Sequence, residues 1–103
     1  MKYSVTNSYN DASMTGLLDY VNTTYARLVE VFGKPIDGSG DGKVNSEWII
    51  KFDDGQVATI YDWKTNETPV YDYDWHIGGN SKVVVKRIAD ILGVGNNCWS
   101  TDR

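Results

Sequence analysis

A chain of 103 residues with a formal net charge of −4 is long enough for one domain around one modest core, and its acidity excludes nonspecific nucleic-acid binding, which needs a basic surface to neutralise phosphates. Its single cysteine, Cys98, excludes an intramolecular disulfide and a thiolate zinc cluster. Four Trp and seven Tyr are more than so small a core needs, so some are expected to face water or a ligand.

Residues 1–11 are polar and aperiodic and are expected to form a loose arm. Nothing in them has the apolar run of a signal peptide, and no later stretch is long enough to cross a bilayer. The expectation is a cytoplasmic, unprocessed protein. Thr15 to Val21 reads as a short strand. Asn22 and Thr23 are good N-cap types, and behind them Tyr25, Leu28, Val29 and Phe32 recur at i, i+3, i+4 and i+7, the spacing of one helix face. Gly33 and Pro35 end that helix.

Ile36 to Asn45 is Gly-rich, interleaved with Asp37, Ser39 and Asp41, and reads as a surface loop. A hairpin follows. Trp48, Ile50 and Phe52 share one face of its first strand, Asp53-Asp-Gly55 turns, and Gln56 to Trp63 returns. With Gly55 in the left-handed position of a three-residue loop, Trp48 lies opposite Ile60 and Ile50 opposite Ala58. Val57, Thr59, Tyr61 and Trp63 then line the outer face. A two-residue turn would pair Trp48 with Tyr61 instead, since a one-residue slip changes which faces match. The first register is preferred because it gives an apolar inner face.

Lys64 to Pro69 is a polar turn region. Val70 to Ile77 alternates as a further strand, with Tyr71, Tyr73 and Trp75 on one side and Asp72, Asp74 and His76 on the other. The last helix is expected to start at Ser81, to bury Val84, Val85, Ile88, Ile91 and Leu92, and to stop at Gly93. The tail from Val94 to Arg103 has no period. The order β-α-β-β-β-α predicts a single α+β domain: a small antiparallel sheet with two helices packed on one face and the other face partly wet.

The stretch from Trp75 to Lys82 is the best candidate for a ligand- or partner-binding site. Gly78 and Gly79 would bend the chain and let a ligand approach the backbone, Asn80 and Ser81 offer polar groups, and Lys82 adds a cation. Trp75 and His76, with Tyr61 and Trp63, would stack on a base or a partner. The spacing is neither a Walker loop nor a dinucleotide turn. A Gly-Gly bend before a helix cap and a Trp packed in the core are the structural alternatives. The Asp37-to-Lys43 loop matches the first half of a calcium loop, but Trp48 stands where the closing Glu belongs. No metal or cofactor is therefore expected. His76 has Asp72 and Asp74 nearby but no nucleophile partner, so the chain reads as non-enzymatic.

The succession Tyr25-x-x-Leu-Val-Glu-Val-Phe-Gly-Lys-Pro35, Glu47-Trp48, Phe52-Asp-Asp-Gly55, Ala58-Thr-Ile-Tyr-Asp-Trp63 and Trp75-His-Ile-Gly-Gly-Asn-Ser81 resembles a group of small orphan accessory proteins of bacteriophages and mobile elements. The resemblance spans residues Thr15 to Leu92 and implies a host bacterial cytosol and inhibition of a bacterial defence component by binding. The alternative is a sponge that sequesters a nucleotide-like signalling molecule at the Gly-Gly-Asn-Ser turn. The sequence leaves a homo-oligomer open and points to no membrane partner.

Overall fold

The computed structural model describes residues 2–6, 16–37, 44–63, 68 and 73–93. The hairpin is its centre. Strand β4 (Ser46–Phe52) runs into strand β5 (Val57–Tyr61) through Asp53, Asp54 and Gly55. Gly55 has φ of 89°, a conformation that costs a glycine little and an L side chain much. Phe52 N–H donates to Gln56 O at 2.8 Å and Gly55 N–H to Phe52 O at 2.9 Å. These bonds fix the three-residue loop, and the register is the preferred one: Trp48 opposite Ile60 and Ile50 opposite Ala58.

Strand β6 (Tyr73–Gly79) pairs antiparallel with β5, and strand β2 (Gly16–Thr23) pairs antiparallel with β6. Leu18 is the extra residue where the β2 register shifts between Leu17 and Asp19, a bulge that twists this edge strand. On the far side β1 (Tyr3–Thr6) pairs with β4, and the two-residue β3 (Ile36–Asp37) pairs with the start of β4 on the same edge. The sheet order is β1-β4-β5-β6-β2. Two expectations are corrected here. The arm expected over residues 1–11 contains a strand, because Tyr3 packs its ring on Phe32 and Phe52, with centroids 5.8 and 6.2 Å away. The loop expected from Ile36 begins with the short β3 pairing.

Helices α1 (Tyr25–Phe32) and α2 (Val83–Leu92) both cover the inner face of the sheet, so the predicted α+β sandwich is the observed one. Leu28 and Phe32 from α1 and Val84, Val85, Ile88 and Leu92 from α2 join one core cluster with Val21, Trp48, Ile50, Phe52, Ala58, Ile60, Trp75 and Ile77. Trp48 and Trp75 meet edge to face at 5.5 Å, a favoured aromatic geometry. The Trp48 indole N–H donates to Gly33 O at 2.8 Å, tying β4 to the end of α1. The Trp75 indole nitrogen is buried with no partner among the described residues.

The caps lie slightly later than expected. Thr24, not Asn22 or Thr23, caps α1, its hydroxyl accepting from Arg27 N–H at 3.1 Å, because Asn22 and Thr23 are still paired in β2. Helix α2 begins two residues after Ser81, where Lys82 makes no side-chain cap bond and the Ser81 hydroxyl accepts from Val83 N–H at a long 3.5 Å, and ends at Gly93, whose φ is 73° and whose N–H donates to Ala89 O at 2.9 Å. Helix α2 also clamps the hairpin turn. Both terminal guanidinium nitrogens of Arg87 donate to Asp54, at 2.8 and 3.1 Å, while its Cζ sits 5.0 Å from the Phe52 ring centroid. That hydrogen-bonded pairing holds the Asp54 carboxyl below its ordinary pKa.

Candidate functional site

Strand alternation puts Trp48, Ile60, Trp75 and Val21 toward the helices, and their neighbours therefore point away from them. The pairings Glu47 with Tyr61, Tyr61 with His76, and His76 with Tyr20 make one continuous row across β4, β5, β6 and β2 on the outer face. The row is aromatic from end to end after its first residue. His76 lies 5.3 Å from Tyr61 at an interplanar angle of 31° and 4.8 Å from Tyr20 edge to face. Trp63, two residues beyond Tyr61 on the same side, stands 6.5 Å from it at 77°. Tyr20, Trp63 and Leu17 are exposed, at 41%, 41% and 50%.

The next row holds Ile49, Thr59, Gly78 and Leu17. Thr59 and Gly78 keep its middle low, and two shallow clefts open beside Tyr61 and Trp63. One, of about 210 Å³, is lined by Gly16, Val44, Glu47, Thr59, Tyr61, Trp63 and Gly78. The other, of about 400 Å³, is lined by Leu17, Tyr20, Tyr61, Trp63 and His76. Among the described residues neither has a Lys or Arg in its lining.

The electrostatics of the row follow from partial burial beside acids. Burial raises the Glu47 carboxyl above its ordinary pKa. The Tyr61 phenol is raised first by burial and then by the negative charge of Glu47 and the neighbouring Tyr20. Burial lowers the His76 imidazole, opposed by the charges of Asp62 and Asp74, and its Nδ1 is buried with no partner among the described residues. Asp62 lies beneath the end of the row, fully buried. It accepts from Asn45 N–H at 2.8 Å, Asn45 Nδ2 at 2.9 Å and Ser46 N–H at 3.1 Å. Three N–H donors are what a buried carboxylate requires, and they fix the chain as it enters β4.

Of the residues expected to form a site, Tyr61, Trp63 and His76 come together, and Gly78 borders them. The others do not join them. Trp75 is in the core, fully buried on the opposite face. Gly78 and Gly79 are not a bend: both lie inside β6, paired with β5 on one side and β2 on the other, and neither has positive φ. Close packing explains them. A Cβ on Gly79 would stand 2.6 Å from Val84 Cγ2 and 2.9 Å from Val57 O, and one on Gly78 would stand 2.6 Å from Thr59 Oγ1. Gly79 lets α2 settle on the sheet, and Gly78 lets the outer rows close. Asn80 Oδ1 accepts from Val57 N–H at 3.2 Å. Ser81 O accepts from Val84 N–H at 3.2 Å, and Lys82 O from Val85 N–H at 3.0 Å, as the first bonds of α2.

Glu47, Tyr20 and Leu17 belong to the outer face and were absent from the expected set. Two-residue alternation from Trp48 places Glu47 outside, and the preferred hairpin register already sets it against Tyr61. Tyr20 and Leu17 carry no such local signal. The calcium-like stretch 38–43, Tyr71, Asp72, Cys98, Trp99 and the tail 94–103 lie outside the described residues. Among the described residues no group of three His, Cys, Asp or Glu side chains is placed to hold a metal ion, and no helix is long and apolar enough to cross a membrane. Comparison of the chain with protein-family models, curated proteins and solved structures gives no match.

Proposed function

We propose that this chain is a non-enzymatic binding protein that engages a protein partner through the outer face of its sheet. The observation that carries the reading is the row Tyr20–His76–Tyr61 with Trp63 beside it, held in register on a four-strand platform with exposed rings. Tyr and Trp give large contact areas for little loss of side-chain freedom and are enriched where proteins meet. A rigid sheet presents them already ordered, which reduces the entropy lost on association. The setting implied by the resemblance of the motifs is that of a phage-type accessory protein in a bacterial cytosol. The partner proposed is accordingly a component of a host defence system, inhibited by occupation.

The nucleotide-sponge alternative has less support. The Gly78 and Gly79 backbone is paired on both sides within the sheet, Asn80 is engaged with Val57, and among the described residues the smaller cleft carries the acid Glu47 and neither cleft carries the Lys or Arg a phosphate needs. The binding reading is tested by affinity capture of the tagged chain from bacterial lysate, with a Tyr61→Ser/Trp63→Ala variant as comparison. A stoichiometric protein retained by the parent and lost by the variant is expected. Retention of no protein, or equal retention by both, contradicts the reading. Calorimetry with cyclic and linear nucleotides provides the complementary measurement, and binding there would favour the sponge.

A further inference from the structure

Glu47 is the anomaly of the outer face. It is half-buried in the wall of the smaller cleft, and among the described residues its carboxyl has neither a hydrogen bond nor an ion pair. Other acids of the described structure have partners. Asp54 is held by Arg87, Asp62 by three N–H groups, Asp90 by Lys86 and Glu30 by Arg27. A carboxylate moved out of water without a counter-charge is unfavourable, and among the described residues none is paired with it. Around it are the Tyr61 ring, the exposed Trp63 indole and the side-chain-free surface of Gly16 and Gly78.

An acid in the lining and two aromatic rings set at 77° to each other are complementary to an organic cation. The ring faces attract positive charge, and the carboxylate supplies a charge-assisted hydrogen bond. A guanidinium fits better than an ammonium, because it is planar, stacks on aromatic faces, and presents paired donors to a carboxylate. Size decides between a free metabolite and a side chain. The cleft holds about 210 Å³, below the roughly 300–1,000 Å³ typical of small-molecule sites, and so has room for one inserted side chain.

We infer that the Glu47–Tyr61–Trp63 cleft is a receptor for an arginine side chain of the protein partner. The neighbouring cleft of Leu17, Tyr20 and His76 then receives the apolar residues flanking that arginine. This rests on the reading of the outer face as the partner surface and adds to it the charge of what is bound. A basic partner segment also agrees with the net charge of −4.

The test is a titration of the full chain with N-acetyl-arginine amide, read at the Trp63 indole N–H resonance and repeated with the neutral isostere N-acetyl-citrulline amide. The arginine probe is expected to shift that resonance saturably and the citrulline probe is not. Glu47→Gln, which removes no contact of the folded chain, is expected to weaken the arginine probe about tenfold, the equivalent of ~1.4 kcal/mol. Equal responses to the two probes, or an unchanged affinity in Glu47→Gln, overturn the inference. The two readings fail separately. A captured partner that binds Glu47→Gln as tightly as the parent sinks the arginine receptor and leaves the interface. Saturable arginine binding in a chain that captures no protein sinks the interface and leaves the receptor.

Discussion

The two faces of this sheet are made from the same kinds of residue and do opposite things. On the inner face Trp48 and Trp75 are sealed between strands and helices, and their rings define the core. On the outer face Tyr20, Tyr61, His76 and Trp63 form a comparable cluster, but no helix of the described structure packs on it. Aromatic content alone therefore says little about where a binding surface lies. What separates the faces is the company of the rings: two helices and a continuous Val, Ile and Leu cluster inside, and Glu47, Thr59, Asp74 and Gly78 beside Ile49 and Leu17 outside. The acids differ in the same sense. Asp54, clamped by α2, is stabilised in its charged form, whereas Glu47, facing outward with no side-chain partner among the described residues, is not.

If this division is correct, substitutions on the two faces should separate stability from binding. The largest loss of stability is expected from Trp75→Ala, about 3–5 kcal/mol by urea denaturation, the usual effect of emptying a large aromatic site in a core. Gly79→Ala is expected to destabilise by roughly 1–3 kcal/mol, because its methyl group meets Val84 and the Val57 carbonyl and forces the helix off the sheet. Thr24→Ala, which removes the α1 cap bond, should cost about 1 kcal/mol in the same assay. Trp63→Ala, on the other face, should change stability by less than about 1 kcal/mol while abolishing partner capture. An equally large loss of stability from Trp63→Ala would break the comparison, since that ring would then be part of a core.

The pH dependence of stability sharpens the same contrast. The Asp54 carboxyl is lowered in the folded chain by the Arg87 hydrogen bonds. Its contribution is present above the ordinary carboxylate pKa and is lost as pH falls through that range toward the folded value. The Glu47 carboxyl is raised by burial, so its sign is opposite. Its contribution is most favourable below the ordinary value and is lost as pH rises through the folded pKa. Asp54→Asn should therefore lower the urea midpoint at neutral pH and flatten the acid limb of the stability profile. Glu47→Gln should leave the neutral midpoint unchanged or raise it. A lower neutral midpoint in Glu47→Gln would mean that the acid has a structural partner.

Much of the inner face was legible in the sequence, because alternation in Trp48-Ile-Ile-Lys-Phe52 and the Asp-Asp-Gly55 turn are local signals that agree with each other. The helices were legible from their 3.6-residue stripes. Strand β1 was not, since its four residues carry only Tyr3 and Val5 as apolar positions and owe their order to β4 and Phe32. Gly78-Gly79 misled for a related reason. Glycine ordinarily marks a bend, but here both residues are held extended by pairing with β5 and β2 and are glycine because neighbouring strands and Val84 leave no room for a Cβ, a constraint that exists only in the folded chain. The candidate site was half legible. Tyr61, Trp63 and His76 could be placed on a strand face, whereas joining them to Tyr20 requires that β2 lie beside β6, a pairing between segments more than fifty residues apart that no local pattern encodes.

The central claim, that the outer sheet face is the contact surface, is tested most directly by placing a photo-reactive benzophenone side chain at Trp63 and, in a second chain, at the exposed Lys86 on α2. Each is then illuminated in bacterial lysate. The account predicts one dominant cross-linked protein from position 63 and none from position 86. A cross-link formed from position 86 alone would place the partner on the helices and contradict it.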